Sequence, residues 1–336
     1  MSNPTTYLVK LTPLSSFFFG NEQGEKADYY LKGNNFPQQT ALLGFVRHQL
    51  LIQNELIAAD QSINDKQKSA KLIGNQSFRY DSPASFGIIE KLSPCFIIDA
   101  DNKHYYPAPP PYANNVSKVG SNYFFPDFDP KDDYPLSLKP ILGDSISGND
   151  IFSQEERPGI DKPNKENIQE KSYFKQVWSK LKKGYGFGVY VTLDKSRYDN
   201  QINFDDGFAT FGKESMTFKM EIAEKTIQTQ ENITDANAIV LLSDTYITED
   251  ILSSCEVAVT DTVAFRNVIN ETTQDKKKYH KIPTASNSVR LQLLKKGSVL
   301  FSAANLTTVT NAIDSHHNFK SIGYNHYQPI KLSITL

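Results

Sequence analysis

The chain has 336 residues, and its 36 Lys and Arg against 38 Asp and Glu leave a net charge of −2. A pI near 6.3 excludes a bulk electrostatic nucleic-acid binder, which would need a basic domain, so any RNA contact must be a local patch. An apolar content of 39% and an aromatic content of 12% fit a globular protein long enough for two modest cores. The two cysteines, Cys95 and Cys255, make neither a disulfide framework nor a metal cluster. The sequence offers no signal peptide and no apolar run near the roughly 18 residues of a membrane helix. The expectation is a soluble, cytoplasmic protein with no cofactor, metal or membrane contact.

Tyr7 to Leu14 alternates as a strand, and a long polar loop with Gly20, Gly24 and Gly33 follows. Phe36 to Leu51, FPQQTALLGFVRHQLL, reads as a helix running on to Ile57, with Pro37 in its first turn. Leu42, Leu43, Val46 and Leu50 share one side; Thr40, Gly44, Arg47 and His48 share the other. A mid-helix Gly costs about 1 kcal/mol relative to Ala. Gly44 therefore implies either a tight helix–sheet contact or close approach by a ligand. Thr40 and Arg47 beside it carry groups that grip phosphate, or Arg47 is simply solvated.

Residues 60–78 read as a Lys-rich surface insertion. FGIIEKL and CFIID, broken by Ser93-Pro94, give a hairpin signal, and the prolines from Pro107 to Pro111 then stop regular structure. Residues 112–171 are rich in Pro, Asp, Asn, Ser and Gly, and read as a long region that folds partly against partners. Gly186 to Leu193 is a strand by its β-branched and aromatic content. Phe208 to Phe211 and Met216 to Ile222 bracket a turn, and Ala238 to Leu242 and Val257 to Phe265 are further strands. Val289 to Leu294 and Ser298 to Ser302 suggest a hairpin around Lys295-Lys296-Gly297. A short helix over Ala303 to Ile313 and a closing strand over Leu332 to Leu336 complete an α+β pattern with antiparallel sheets.

No histidine has a spacing that establishes a general base beside a second acid or base. His316-His317 fit a helix end better than a metal pair. Asp127, Asp129, Asp132 and Asp133 lack the Gly and Glu of a calcium loop, and Gly184, Gly186 and Gly188 lack the helix that would follow a phosphate loop. The runs Lys180 to Lys183, Lys276 to Lys278 and Lys295-Lys296 read as solvated faces. Lys320, Gly323, Tyr324 and His326, in NFKSIGYNHY, combine a turn that admits phosphate with a ring able to stack on a base.

Several segments, in order, resemble one family. They are PLSSFFFG with FPQQTALLGFVR, FGIIEKLSPCFI with HYYPAPPPY, RPGIDKPNKENIQEKSYFKQV, FATFGKES, IVLLSDTYI and KKGSVLF. Together they are similar to RAMP-superfamily CRISPR effector subunits, above all the Cas5-like subunit of type III-B (Cmr) complexes that holds the 5′ handle of the guide RNA. Phe211-Gly212 departs from that family's double Gly, and Gly323-Tyr324-Asn325 only approximates its Gly-rich terminus. The resemblance implies two RRM-like (ferredoxin-like) domains, expected at 1–111 and 172–336, with 112–171 between them. It implies a non-catalytic subunit linking the backbone to the large signalling subunit. Its partners would be crRNA, that large subunit and the adjacent backbone RAMP subunit, with target RNA a further candidate. The alternatives are a guide-processing RAMP endoribonuclease and a purely protein-binding scaffold. The RNA-binding residues implied are Gln39, Thr40, Gly44, Arg47, His48, Arg157, Gly159, Lys162, Lys213, Lys320, Gly323, Tyr324 and His326.

Overall fold

The computed structural model of the chain describes residues 4–20, 30–129, 131, 136–140, 144–160, 173–198, 201–212, 215–226, 233, 235–248, 251–268 and 288–335. Strands β1 (Thr5–Pro13) and β2 (Tyr30–Lys32) precede helices α1 (Gln39–Gln53) and α2 (Lys66–Ile73). Next come β3 (Ile89–Leu92), β4 (Phe96–Ile98), β5 (His104–Pro107), β6 (Asn115–Val119), β7 (Asn122–Phe124), β8 (Ser137–Pro140), β9 (Ile146–Ser147) and the single-turn α3 (Gly148–Ile151). A long ribbon of β10 (Phe152–Ile160) and β11 (Tyr173–Leu181) leads to β12 (Gly186–Leu193), β13 (Gly207–Thr210) and β14 (Thr217–Glu224). The last third holds β15 (Ala238–Leu241), β16 (Val257–Val259), β17 (Thr262–Val268), β18 (Ser288–Leu294), β19 (Val299–Phe301), α4 (Leu306–Asp314), α5 (His317–Ser321), β20 (Tyr327–Ile330) and β21 (Ser333–Thr335).

The largest sheet runs β13-β14-β1-β12-β4-β5-β8-β9, with β3 also on β12, and its ladders are antiparallel. Period-two alternation sends Val9 and Leu11 into one core with Leu42, Leu43, Val46 and Leu50 of α1. Leu8 goes to a separate cluster with Phe96, Ile98 and Tyr190. The apolar face read from the α1 sequence is thus the face that is buried, and each such side chain contributes about 1.5–3 kcal/mol.

Several local expectations change. Pro37 precedes the N-cap, Gln38, and α1 stops at Gln53. Asn54 ends it by donating its side-chain amide to the Leu50 carbonyl at 2.8 Å and to the Asn203 carbonyl at 3.0 Å, and Glu55 turns left-handed at φ 57°. The supposed surface insertion contains α2, whose Leu72 and Ile73 enter the main core. Strands β3 and β4 form no hairpin with each other. Both lie antiparallel to β12, as one strand line interrupted at Ser93-Pro94. The turn at Lys295 to Ser298 exists, but β18 pairs with β17 while β19 pairs with β15 and β16.

A second sheet runs β16-β19-β15-β20. One face packs Ile239, Leu241 and Leu300 against Val309 and Ile313 of α4. The other packs Val240, Val299 and Phe301 against Tyr112, Val116 and Phe125. The start of the 112–171 span therefore covers the second sheet, and the rest supplies β8, β9 and β10. Pairing runs across the expected divisions: β1 pairs with β12 and β14, and β6 with β21. The architecture is α+β, with mostly antiparallel sheets and few helices.

Candidate nucleic-acid interface

The N-terminal half of α1 borders a groove. Its N-cap, Gln38, makes no side-chain capping bond. Ala41 and Gly44, one helical turn apart, are exposed, and a Cβ built on Gly44 meets nothing within 4 Å. This removes the helix–sheet contact as the reason for Gly44 and leaves its backbone open to a partner. Pro37, Gln38 and Ala41 line an open groove of about 480 Å³ with Phe18, Phe19 and Gly20 on one side and Phe211 and Gly212 on the other. Gly212 has φ 85°, a conformation that favours Gly, so this turn keeps its backbone at the rim. Aromatic contacts fix the walls, with Phe211 packed on Phe45 at 5.1 Å and on Phe19 at 5.2 Å.

Arg47 faces elsewhere. Its guanidinium donates to the carbonyls of Gly74 at 3.0 Å and Gln76 at 3.1 Å, at and beyond the C-cap of α2. Burial lowers its pKa, and its Nε is enclosed without a partner. The helix-end carbonyls hold the fork, so Arg47 pins two helices together in this conformation. His48 meets Gln61 Oε1 at 3.3 Å.

The NFKSIGYNHY segment is structural in this conformation. Gly323, at φ 93°, presses on the Ser93 carbonyl and the Gln39 side chain. Tyr324 is 1% exposed among Phe78, Phe265 and Phe319, and its ring has no free face in this conformation. Burial raises its pKa, and its hydroxyl lies against the first turn of α1 near Thr40 and Gln39 without completing a hydrogen bond. Asn325, which sequence reasoning passed over, is fully buried and bridges the Tyr246 amide and carbonyl and the Ile313 carbonyl. Burial pushes His326 down to about 4, so its ring is neutral at pH 7, beside the Lys320 carbonyl. Lys320 pairs with Asp314 at 2.5 Å.

Arg157, on the ribbon, lies 4.1 Å from the Trp178 ring centroid and bonds Glu155 and Ser16. Gly159 pairs with Phe174 further along the ribbon. Lys162 and Lys213 lie outside the described residues. Sequence reasoning missed Trp178, because no local pattern links it to Arg157 twenty-one positions earlier. The groove lining was half-visible, since Phe18, Gly20, Phe211 and Gly212 sit in segments that carried the resemblance. Among the described residues, no three His, Cys, Asp or Glu side chains gather to hold a metal. No helix among them is long and apolar enough to cross a membrane.

The fold has solved counterparts. A chain of the type III-B Cmr-beta complex bound to cognate target RNA and AMPPnP is similar with a TM-score of 0.53 and 14% identity, over 98% of both chains. A second structure of Cmr-beta bound to cognate target RNA gives 0.52 and 13%, again over 98% of both. At this level of identity the likeness is one of fold. Residues 136–331, more than half of the chain, match the family described as CRISPR-associated protein (Cas_Cmr3), and the chain belongs to that family. The match spans the central, FATFGKES, IVLLSDTYI and KKGSVLF segments, while the α1 segment precedes it. No curated protein matches the chain.

Proposed function

We propose that this chain is the non-catalytic subunit of a type III-B effector that holds the 5′ handle of the guide RNA and joins the backbone RAMP subunit to the large signalling subunit. One observation carries the reading. Three segments distant in sequence, Phe18 to Gly20, Pro37 to Ala41 and Phe211-Gly212, converge on one groove beside the open backbone of Gly44. The exposed Gly20, Ala41 and Gly212 there suit close approach by phosphates, and the near-neutral chain suits a local patch. Target RNA and the two neighbouring subunits are the remaining partners of this reading.

The same reading includes two RRM-like units. The first comprises β1, α1, β3 with β4, β12 and β14; the second comprises β15, the turn Ile251–Ser254, β16, β19, α4 and β20. The sheet orders β14-β1-β12-β4 and β20-β15-β19-β16 each run fourth, first, third, second, which supports the assignment. The first unit then takes its last two strands from beyond residue 172.

The test is guide retention by the assembled complex. Gly44→Leu fills the open face, and handle binding is expected to fall at least ten-fold while thermal stability holds or rises, since the helix loses a Gly. Unchanged handle affinity would remove the groove from the interface. The isolated chain is expected to bind RNA weakly and not to cut it; metal-independent cleavage lost on replacing one His would overturn the non-catalytic role.

A further inference from the structure

Trp178 is the chain's single tryptophan and is 2% exposed. Arg157 covers one side of its indole, and Phe18 meets the ring with 5.7 Å between centroids. Arg157 is not a loose cation. Its Nε donates to Glu155 at 2.9 Å and its Nη2 to Ser16 Oγ at 2.5 Å, and that hydroxyl donates on to Glu155 at 2.7 Å. The edge that would grip a phosphate in bidentate fashion is therefore occupied, and Glu155 already neutralises the charge. Its side chain is nevertheless 37% exposed. With the Nε–Nη2 edge engaged and the inner face on the indole, the guanidinium keeps the flat face turned away from Trp178 for a ligand. A planar guanidinium backed by an indole is a stacking surface. Phe18, packed on Trp178, also lines the groove beside α1, so the platform and the groove share that ring.

We propose that Arg157, held flat on Trp178, receives one unpaired RNA base by stacking. The proposal deepens the RNA-binding reading above and rests on it. A phosphate is the poorer occupant, because the Nε–Nη2 edge is taken and the Glu155 carboxylate lies beside it. Stacking on a guanidinium plane is tolerant of base identity, so the platform positions the strand without reading its sequence.

The test uses the assembled complex and guides carrying one abasic nucleotide at a time along the handle. In the natural protein, one abasic position is expected to weaken guide retention about 5- to 150-fold, the range for losing one stacked base. Arg157→Lys keeps the charge and loses the plane. It should weaken the intact guide by a similar factor, and the abasic change at that same position should then add nothing. If Arg157→Lys weakens intact and abasic guides alike, or neither, the platform is only structural and the proposal is overturned. In that case the groove reading stands, because Gly44→Leu tests it separately. A second measurement needs no variant. With saturation established from the anisotropy of labelled RNA, oligoadenylate should change the Trp178 emission of the isolated chain, and an abasic ribose-phosphate polymer should not. Equal emission at saturation with both would also overturn it.

Discussion

Arg47 joins α1 to α2 through two carbonyls that no backbone amide of α2 can satisfy. Hydrogen bonds from a charged donor are each worth more than neutral ones, and this pair is only partly exposed. Arg47→Ala is expected to lower the unfolding free energy by about 1–3 kcal/mol, read as a lower denaturant midpoint at constant m. Handle affinity and its salt slope should not change. A stable variant whose salt slope drops by about 0.7–1 would return Arg47 to a phosphate contact. His326 gives a pH dependence with a definite sign. Burial holds its folded pKa at about 4, below the ordinary value of 6.5, with Lys91 and Lys320 opposing and Asp314 favouring its charge. The unfolded chain therefore takes up a proton first as pH falls. The stability that neutral His326 contributes is complete above pH 6.5 and is lost progressively down to about 4. His326→Gln should flatten that part of the curve in chemical denaturation from pH 7 to 4. An identical slope in both proteins would assign the titration elsewhere, His104 being another buried ring with a lowered pKa.

At the level of elements, what the sequence disclosed depended on how local the determinants are. Helix α1 and strand β12 were legible because their own residues carry the 3.6- and 2-residue periods. The join of β3 and β4 was not, since what aligns them is β12, about a hundred positions later. The 112–171 span hid its structure for a related reason. Most of its strands are short, and their apolar partners lie far along the chain: Val116 and Phe125 pack on Val240 and Phe301, and Leu138 enters the main core. The groove was legible only as separate segments, because its shape exists only once Phe211-Gly212 is folded against Phe19. A span built this way should be ordered in the free chain. Amides of β8 and β10, paired with β5 and β11, are expected to resist hydrogen exchange before any partner binds. Exchange at the rate of an unstructured peptide would show that these strands form only on assembly.

On the scale of the molecule, the β17–β18 ribbon and the segment after α4 meet the core of the largest sheet beneath the start of α1. Phe265 and Leu293 of β17 and β18, with Phe319, Ile322 and Tyr324, belong to the same core as Phe36, Leu42 and Phe78. Lys296 pairs with Asp244 at 3.5 Å and sits 5.0 Å from the Phe36 ring centroid. Asn325 ties Tyr246 to the end of α4 from a left-handed backbone at φ 56°. That ribbon and segment therefore share the interior that holds α1, and their apolar side chains are not buried without it. Unfolding is expected to be a single cooperative transition, with calorimetric and van't Hoff enthalpies equal. Gly323→Ala tests the joint directly, since its Cβ would sit 2.4 Å from the Ser93 carbonyl oxygen at a φ that L residues rarely adopt. It should lower the melting temperature of the whole chain, because the strain falls where both halves are bonded. It should weaken handle binding too, because Gln39 at the first turn of α1 is displaced. Two separate transitions, with Gly323→Ala moving only one of them, would mean that the halves fold independently and that the groove does not depend on the C-terminal segment.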